Sequence, residues 1–472
     1  MSDILEKDRA KKALLLIDLI GCPRNMLLKL RIEDYLKANG WLLVSPSQIK
    51  SCNLVVFCSC SALYTEQRRS LQIIRAVNER LTNLNDPPVF VVAGCFPSSN
   101  RRELLQVHRG PAFGPRELDQ FDALINATTG ISTIPTRNKV MSSERVKTLI
   151  ERQGRVGILG FFRVAKKTTA TIKKRYCEVF GRYLPYDLDD MFPFDSYQMG
   201  NRTWCVVTSV GCLGNCSYCT IKFAKGRLKS RPLRNIVEEA RQGVKLGYKW
   251  ISLIADDNGA YGRDMGTNLA SLLRQLSNIE GDFSMLVDSL NPNHFIALFD
   301  ELVQVFTSGK LKRMCLGIQH VNQRILSSMN RSYDLDVLKQ RLRALTTALP
   351  TFIIDVHLIV GYPGETREEF EELVSFVRWL LEMNPINSIR QFPFSANLGT
   401  PAAKLSGQIS RTVIRRRWYE IERVCLQHEH KLRRERIKAM PRPPLSNTAY
   451  TGLRSIQKLE NLLTMLEWRL SR

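Results

Sequence analysis

The chain has 472 residues, too many for one hydrophobic core, so two or three domains are expected. Its 44% hydrophobic and 24% charged residues are typical of a globular protein and exclude a disordered chain. With 69 basic against 45 acidic residues, the net charge of +24 favours polyanionic partners, although a charged surface also serves solubility alone.

Nothing in the sequence marks the chain for a membrane or for export. No segment reaches the roughly 18 uninterrupted apolar residues of a membrane span. The first residues, MSDILEKDRAKK, lack the apolar stretch of a secretory signal. A cytoplasmic location is therefore expected, and in that reducing compartment the 12 cysteines favour metal binding or redox chemistry over disulfides.

Residues 13–130 alternate predicted strands and helices. Buried strands are predicted at ALLLIDLI, LVVF and VFVVAG. A helix at 25–39 carries Leu28, Ile32 and Leu36 on one face, and a second helix follows LVVF. This pattern predicts a flavodoxin-like, doubly wound parallel sheet at residues 1–130.

A second series of strands and helices begins after a basic helical insert predicted at 131–200. Strands are predicted at 205–209, 250–255, 283–289, 314–319, 352–360 and 388–393. Helix starts are predicted at Asn291-Pro292 and at the capping box of Thr366 and Glu369. The expected fold is therefore α/β, with a partial (βα)6 barrel at 201–402 and a helical extension at 403–472.

Three cysteines follow the first strand of this second series: Cys212, Cys216 and Cys219, here called the loop trio. Thiolates at this Cys-x₃-Cys-x₂-Cys spacing can bind a 4Fe–4S cluster and leave one iron without a protein ligand. They cannot complete a tetrahedral zinc site alone, and no further Cys or His follows nearby. The loop lies where such barrels place their catalytic residues. We predict an open-iron cluster, with a zinc knuckle or reduced core thiols as alternatives.

Three more cysteines lie at or just past the ends of the first three predicted strands. They are Cys22, Cys60 and Cys95, here called the edge trio, in LIGC, VVFCSC and VVAGC. The carboxyl ends of neighbouring parallel strands share one sheet edge, so a second open-iron cluster site is expected there. Single cysteines are more often inert buried thiols, and Cys58 is an alternative ligand to Cys60. The other cysteines are interpreted as structural: Cys52, Cys177, Cys205, Cys315 and Cys425.

The loop trio, with Tyr218 before its last thiol, resembles the radical S-adenosylmethionine (SAM) superfamily. Within it, GCPRN, FCSCS and VAGC resemble the three cysteine motifs of the methylthiotransferase family. The stretches MNRSY, LIVGYPGETREEF and FSANLGTPAAKL agree with that family. GAYGRDMGTNL looks most like the tRNA-modifying branch, whereas GCPRN is closer to the branch that modifies a ribosomal-protein aspartate. The resemblance covers residues 13–425 outside the insert.

The resemblance implies a two-cluster transferase that inserts sulfur, as a methylthio group, at an unactivated C–H bond. The 4Fe–4S cluster of the loop trio would cleave SAM reductively, which generates a radical that abstracts hydrogen. The 4Fe–4S cluster of the edge trio would hold sulfur derived from sulfide or polysulfide, which another SAM molecule methylates. An electron donor such as flavodoxin or ferredoxin is also implied.

Six further residues are predicted to contact the cofactor: Tyr218, Asp256, Asp257, Gly361, Gly364 and Glu365. The two glycines would let the backbone approach SAM closely, and the two aspartates would contact its ammonium or ribose. An ordinary strand-to-helix turn and solvated loop acids are the alternatives. His320 and His357 are candidates for contact with substrate or SAM, although barrel histidines are more often structural.

Several features depart from the family. The tail AYTGLRSIQKLENLLTMLEWRL has helical periodicity where family members usually end in a small RNA-binding β-barrel. His320 and Val321 replace small residues, Leu286 replaces a basic residue, and Ala255-Asp256 replaces a Gly-Gln pair. A small molecule or a peptide is therefore expected as substrate, with tRNA bound by the basic helices as an alternative. Sulfur insertion or exchange without methylation, and a non-enzymatic iron–sulfur RNA-binding or sensor protein, are further alternatives.

Overall fold

The computed structural model describes residues 11–17, 23–62, 64–135, 203–384 and 388–439. The chain divides into two compact units, one of residues 1–140 and 199–426, the other of 141–198 and 427–472. Almost all described residues belong to the first unit. Most of the predicted insert at 131–200 and the end of the predicted helical extension lie outside the described residues, and the domain boundaries stay predictions.

The amino-terminal strands form one parallel sheet in the order β2-β1-β3-β4-β5. This order is that of flavodoxin-like folds, as predicted. The strands are β1 Lys12–Ile17, β2 Leu42–Val44, β3 Leu54–Ser59, β4 Val89–Gly94 and β5 Ala112–Phe113. The helices are α1 Pro23–Ala38, α2 Tyr64–Thr82, α3 Cys95–Ser99, α4 Arg101–Leu105 and α5 Gln120–Leu124. All six residues of β3 are buried because helices cover both faces of the sheet.

Six parallel strands form the second sheet in the order β13-β12-β11-β10-β9-β6, so successive crossovers add neighbouring strands, as in a partial barrel. The strands are β6 Thr203–Val207, β9 Trp250–Ile254, β10 Ser284–Leu290, β11 Leu311–Gln319, β12 Ile353–Val360 and β13 Ser388–Pro393. A small antiparallel pair consists of β7 Ser209–Val210 and β8 Lys229–Ser230. Each of the six predicted barrel strands overlaps an observed one, and the predicted α/β fold class is confirmed.

Eight α-helices follow in chain order among the described residues. They are α6 Ile221–Lys225, α7 Leu233–Lys245, α8 Leu269–Ser277, α9 Pro292–Phe306, α10 Gln323–Ser328, α11 Leu335–Ala348, α12 Arg367–Met383 and α13 Arg411–Ala439. Both predicted helix starts are confirmed: Asn291 caps α9 ahead of Pro292, and Thr366 and Glu369 form a reciprocal capping box on α12. No helix within the described ranges combines the length and hydropathy needed to cross a membrane.

The alternation of side chains along the barrel strands separates an outer core from the barrel interior. Val206 and Leu253 pack in the outer core with the helices, whereas Cys205 and Ile254 point inward. Leu27 of α1 packs against these two inward-facing residues. The first helix of the amino-terminal sheet therefore contacts the interior of the partial barrel, and this contact brings the two cysteine-bearing regions together.

Candidate active site at the junction of two cysteine loops

The loop trio lies on a tight loop between β7 and α6. Gly211 begins the turn with φ +84°, and a Cβ at this position would clash with the carbonyl oxygen of Arg227. Gly214 lies against two of the thiols, because a Cβ there would be 3.3 Å from Cys212 Sγ and 3.8 Å from Cys216 Sγ. The loop therefore turns two of its sulfur atoms toward the same small space.

Each sulfur of the loop trio accepts a hydrogen bond. The donors are Gly214 N to Cys212 Sγ at 3.2 Å, Arg331 Nη1 to Cys216 Sγ at 3.5 Å, and Ile221 N to Cys219 Sγ at 3.4 Å. Such donors orient ligand sulfurs and tune the cluster that they hold. Their presence at all three sulfurs fits thiolate ligands of a cluster.

Two thiols of the loop trio have raised pKa values. Burial, reinforced by nearby negative charge, raises the pKa of Cys212 to about 11 and that of Cys219 to about 12. Because metal ligands must be thiolates, cluster binding would release these protons. Within the described ranges, no three His, Cys, Asp or Glu side chains surround one point as the ligands of a single metal ion do. A cubane cluster instead takes its thiolates on separate irons, and three thiols in one loop fit it.

Two members of the edge trio lie side by side. Ser59 and Gly94 pair at the ends of β3 and β4, and Cys60 and Cys95 are the residues that follow them. A Cβ on Gly94, whose φ is +102°, would clash with the carbonyl oxygen of Ser59. Glycine therefore permits the close approach of the two strand ends that carry the thiols.

Cys22, the third member of the edge trio, lies outside the described residues. Asn25, three positions later in the first turn of α1, donates from Nδ2 to the carbonyl oxygen of Ser59 at 3.0 Å. This bond is buried and fixes the start of α1 beside the strand end that leads into Cys60. The segment that follows Cys22 therefore reaches the same sheet edge as the other two thiols.

Cys58 lies inside the core of the sheet, before the strand end that leads into Cys60. It is fully buried in the core between the sheet and α1, and burial raises its pKa to about 12. Cys58 lies within β3, whereas Cys60 follows the end of that strand beside the strand end that leads into Cys95, which favours Cys60 as the ligand. Of the cysteines interpreted as structural, Cys52, Cys205 and Cys315 are also buried, Cys425 is partly buried, and Cys177 lies outside the described residues.

Direct contacts join the edge that carries Cys60 and Cys95 to the loop trio. Thr220, which follows Cys219, donates from Oγ1 to the carbonyl oxygen of Ser61, which follows Cys60, at 3.2 Å. Helix α3 begins at Cys95 and packs against α6, which begins two residues after Cys219. The two cysteine regions therefore lie next to each other in one compact unit.

A loop of the barrel bridges the same two regions from another side. Asn397 donates from Nδ2 to the carbonyl oxygens of Ala62 at 3.2 Å and of Tyr218 at 3.4 Å. Ser395 accepts at Oγ from the backbone N of Tyr64 at 2.6 Å. The motif FSANLGTP thus holds the Cys60 segment against the loop trio. The side chain of Tyr218 packs with the barrel core, and its contact with SAM stays a prediction.

Asp256 connects the cysteine loop to α1 through charge. Its buried carboxylate accepts from Gly211 N at 2.8 Å and pairs with Arg24 Nη1 at 2.7 Å and Lys225 Nζ at 3.0 Å. Burial alone would raise the pKa of this carboxyl, but the charges of Arg24 and Lys225 outweigh burial and lower it. Asp256 is therefore an ionised link between the two domains, and its predicted contact with SAM stays a prediction.

Asp257 links two barrel loops. Its Oδ1 accepts from Gly259 N at 3.0 Å and from Asn291 N at 3.2 Å, and its Oδ2 lies 3.1 Å from His294 Nδ1. The carboxylate is buried and joins the end of β9 to the start of α9. These bonds give Asp257 a structural role in joining the two loops. Its predicted contact with the cofactor stays a prediction.

Glu365 organises the turn that contains the two predicted glycines. Its Oε2 accepts from Gly361 N at 2.9 Å and Tyr362 N at 3.3 Å, and its Oε1 pairs with Arg417 Nη1 at 2.6 Å. A Cβ on Gly361 would clash with Ile414 of α13. Gly364, at φ +77°, donates its N to the carbonyl oxygen of Gly407 at 2.9 Å. Gly361 therefore permits the close approach of α13 to this turn. The contact of the turn with SAM stays a prediction.

His320 is fully buried behind this turn. Its Nδ1 accepts from Asn322 N at 3.0 Å, which places the ring proton on Nε2, 3.6 Å from Oε2 of Glu365. The histidine therefore faces the buried carboxylate of Glu365. Its predicted contact with substrate stays a prediction.

His357 lies inside the barrel. Its Nε2 is 3.4 Å from Cys315 Sγ, and its ring packs edge-on against Phe392 with centroids 5.2 Å apart. Burial, followed by the charge of Arg390, lowers the pKa of His357 to about 4. The imidazole is therefore neutral at physiological pH and could donate or accept a single hydrogen bond toward a substrate.

This low pKa predicts a measurable pH dependence. The unfolded chain has a histidine pKa of about 6.5, so it binds more protons than the folded chain between that pH and about pH 4. The stability that His357 contributes as a neutral group is lost as the pH falls through this window. From pH 7 to pH 5, wild type should lose about 2 kcal/mol more unfolding free energy than His357→Gln. Urea unfolding of the cluster-free proteins measures this, and parallel pH profiles would contradict it.

The contacts also identify residues that sequence analysis missed. Arg24 and Lys225 neutralise Asp256, and Thr220 and Asn397 hold the two cysteine regions together. The only signal in the sequence was the acidic residue in place of the family's Gln at position 256. An acid at the end of a buried strand requires a cation, but its identity depends on the tertiary fold.

Known proteins similar to this chain support the resemblance to radical SAM methylthiotransferases. A profile of the radical SAM superfamily matches residues 206–377, which include the loop trio. A protein of Methanocaldococcus jannaschii, described as a probable threonylcarbamoyladenosine tRNA methylthiotransferase, is 30% identical over 403 residues, covering 85% of this chain and 80% of that protein. A protein of Archaeoglobus fulgidus with the same description is 39% identical over 204 residues, covering 42% of this chain and 47% of that protein.

The matched segments span only 47% to 57% of the length of three archaeal relatives, so about half of each is aligned. Among solved structures, the radical SAM methyltransferase TsrM of Kitasatospora setae superposes with a TM-score of 0.51 at 16% identity. That superposition covers 83% of this chain and 74% of TsrM. At this identity the likeness supports the fold alone.

Proposed function

The chain belongs to the radical SAM methylthiotransferase family, and on that premise we propose that it inserts sulfur, as a methylthio group, at an unactivated C–H bond. The family predicted from the motifs is confirmed by the relative of Methanocaldococcus jannaschii, which is 30% identical and covered to 80% of its length. The observation that supports the proposed reaction is the direct bond between the two cysteine regions, from Thr220 to Ser61. Sulfur transfer to a carbon activated by SAM cleavage needs both regions close to one substrate.

The proposal requires two 4Fe–4S clusters and SAM. The loop trio would hold one cluster and the edge trio the other, and each cluster would supply an iron without a protein ligand, where SAM or sulfur can bind. The chain's own groups orient the ligands: Gly214 N, Ile221 N and Arg331 donate to the loop sulfurs. Asn397 and Thr220 set the spacing between the two regions. Sulfide or polysulfide is the proposed sulfur source.

The first candidate substrate is a small molecule or a peptide. Its support is the set of departures from the family at barrel positions, such as Leu286 in place of a basic residue and His320 in place of a small one. His320 fills its space and is bound to its own neighbours, so the barrel interior differs there from the family pattern. Such a substrate would enter the barrel without a large binding surface.

The second candidate substrate is tRNA, favoured by a basic groove on α13. The groove is lined by Arg367, Thr412, Val413, Arg415, Arg416, Arg417, Tyr419, Glu420 and Arg423. Arg416 and Arg423 are exposed there, and arginines with an aromatic residue suit phosphates and bases. The archaeal relatives are also described as tRNA methylthiotransferases.

Retention of RNA separates the two candidates. If tRNA is the substrate, purified protein should retain it at low salt and lose it as salt rises, because phosphate contacts release counterions. Arg416→Glu/Arg423→Glu should then weaken tRNA retention at least about tenfold, because the double variant removes roughly two phosphate contacts. A small substrate predicts no retained tRNA in wild type. The mass of the product tests the reaction, since a methylthio group and a thiol differ by one methylene.

Replacing Asp256 tests the link between the two domains. Asp256→Asn leaves Arg24 and Lys225 without a buried counter-charge and is expected to loosen the contact between α1 and the cysteine loop. We expect SAM cleavage to continue while the ratio of 5′-deoxyadenosine to methylthiolated product rises about tenfold, a loss of roughly 1.4 kcal/mol in productive alignment. The matched control is Asp300→Asn, which removes an exposed pair with Arg341. Equal ratios in both variants would contradict the link.

A further inference from the structure

We infer that the loop trio receives its electron from an acidic one-electron carrier that docks on the exposed rim of the cysteine loop itself. This rim, here called the loop face, consists of Arg116, Leu213, Asn215, Lys222, Phe223 and Arg227. The inference rests on the reductive cleavage of SAM proposed above. It adds the place where the reductant binds and the chemistry by which that place recognises it.

Two apolar side chains on the loop face are exposed beside the predicted ligands. Leu213 follows Cys212 directly and Phe223 lies on α6, and each side chain is 42% exposed. Lys222 lies 5.0 Å above the ring of Phe223 and donates to Asn215 in the loop, so helix and loop share one surface. Single exposed apolar residues are common on proteins, but Leu213 lies between two thiols of the loop trio, and Phe223 follows its last thiol by four residues.

The loop face carries three cations, Arg116, Lys222 and Arg227. Arg116, from the amino-terminal domain, donates to the carbonyl oxygen of Arg227, and its Nη1 would be 2.6 Å from a Cβ on Gly226. Within the described part of the chain, none of these three cations pairs with a carboxylate. A partner with acidic residues around its redox centre would satisfy them and be steered toward the loop.

The loop face also offers a short route for the electron. Gly214, next to the exposed Leu213, donates its backbone N to Cys212 Sγ at 3.2 Å. One backbone segment therefore separates a carrier on this face from a ligand sulfur. Electron-transfer encounters are weak and bury less than about 1,200 Å² in total, so they need only a small contact surface. One electron leaves the reduced carrier and enters the cluster held by the loop trio, and no atom is transferred.

The test compares a protein reductant with a chemical one. Reduced flavodoxin and reduced plant-type ferredoxin are the protein probes, and dithionite, which needs no docking site, is the chemical reductant. The test variant is Lys222→Glu/Phe223→Ser. The matched control is Lys245→Glu/Leu246→Ser, which reverses one lysine charge and replaces one exposed apolar residue by serine at the end of α7. Iron content and the electron paramagnetic resonance spectrum of the reduced cluster show that the variants are intact.

We expect all three proteins to form 5′-deoxyadenosine equally with dithionite. With flavodoxin or ferredoxin, the loop-face variant should need at least about tenfold more carrier for half of its maximal rate, and the difference should shrink as salt rises. The control should match wild type. Equal carrier dependence in all three proteins, or no cleavage by wild type with either carrier, would overturn the docking inference. Failure of wild type to cleave SAM with dithionite would instead overturn the proposed function.

Discussion

Replacing Cys22, Cys60 and Cys95 by alanine is expected to remove about half of the iron from the anaerobically reconstituted protein, because one of two 4Fe–4S clusters loses its ligands. SAM cleavage should survive, since the loop trio keeps its three thiols and the three hydrogen bonds that their sulfur atoms accept. Sulfur transfer should stop.

The companion variant, with Cys212, Cys216 and Cys219 replaced by alanine, should also lose about half of the iron but should abolish SAM cleavage. Cys58→Ala is the matched control for the edge trio, because Cys58 lies two residues before Cys60, within β3, and is buried in the core. Iron that is unchanged in the edge-trio variant, or reduced equally by Cys58→Ala, would contradict the assignment of ligands.

Arg417→Met is expected to lower the free energy of unfolding by about 3–5 kcal/mol, the usual effect of removing one partner of a buried ion pair. Arg417 donates to Oε1 and to the carbonyl oxygen of Glu365, whose side chain is fully buried. The methionine would fill similar space and leave the carboxylate without its main counter-charge. The turn at Gly361 and Tyr362, which Glu365 holds, should loosen as a consequence.

Urea unfolding followed by circular dichroism measures this effect. Arg423→Met is the matched control, because Arg423 is an exposed arginine on the same helix, and it should change stability by no more than about 0.5 kcal/mol. The double variant Arg417→Met/Glu365→Gln removes the orphan charge and should recover part of the loss. Equal destabilisation by Arg417→Met and Arg423→Met would show that the buried pair contributes nothing.

The strand pattern and the cysteine positions were accessible from the sequence because they depend on local signals. Buried parallel strands are continuous apolar runs, as in β3 and β4, and the residue after each run falls at the shared sheet edge. The adjacency of Cys60 and Cys95 therefore followed from the pattern alone. The two helix starts, at Asn291 and Thr366, were accessible for the same reason.

The roles of the acidic residues were not accessible. Asp256 was predicted as a cofactor contact because of its place at a strand end, and Glu365 as part of the stretch Gly361–Thr366. Their partners, Arg24 and Arg417, lie at opposite ends of the chain. A buried carboxylate that pairs with a distant arginine and one that binds a ligand leave the same local pattern. Periodicity and spacing report which residues share an edge, whereas they do not report which side chains neutralise one another across domains.

The central claim is that the edge trio and the loop trio hold separate clusters that use SAM in different ways. The most direct measurement follows the fate of SAM in wild type and in the variant with Cys22, Cys60 and Cys95 replaced by alanine. Wild type supplied with sulfide should form S-adenosylhomocysteine, by methylating the sulfur of the edge trio, and 5′-deoxyadenosine once dithionite is added. The variant should form 5′-deoxyadenosine alone. A variant that still forms S-adenosylhomocysteine at the wild-type level, or that loses 5′-deoxyadenosine, would contradict the account.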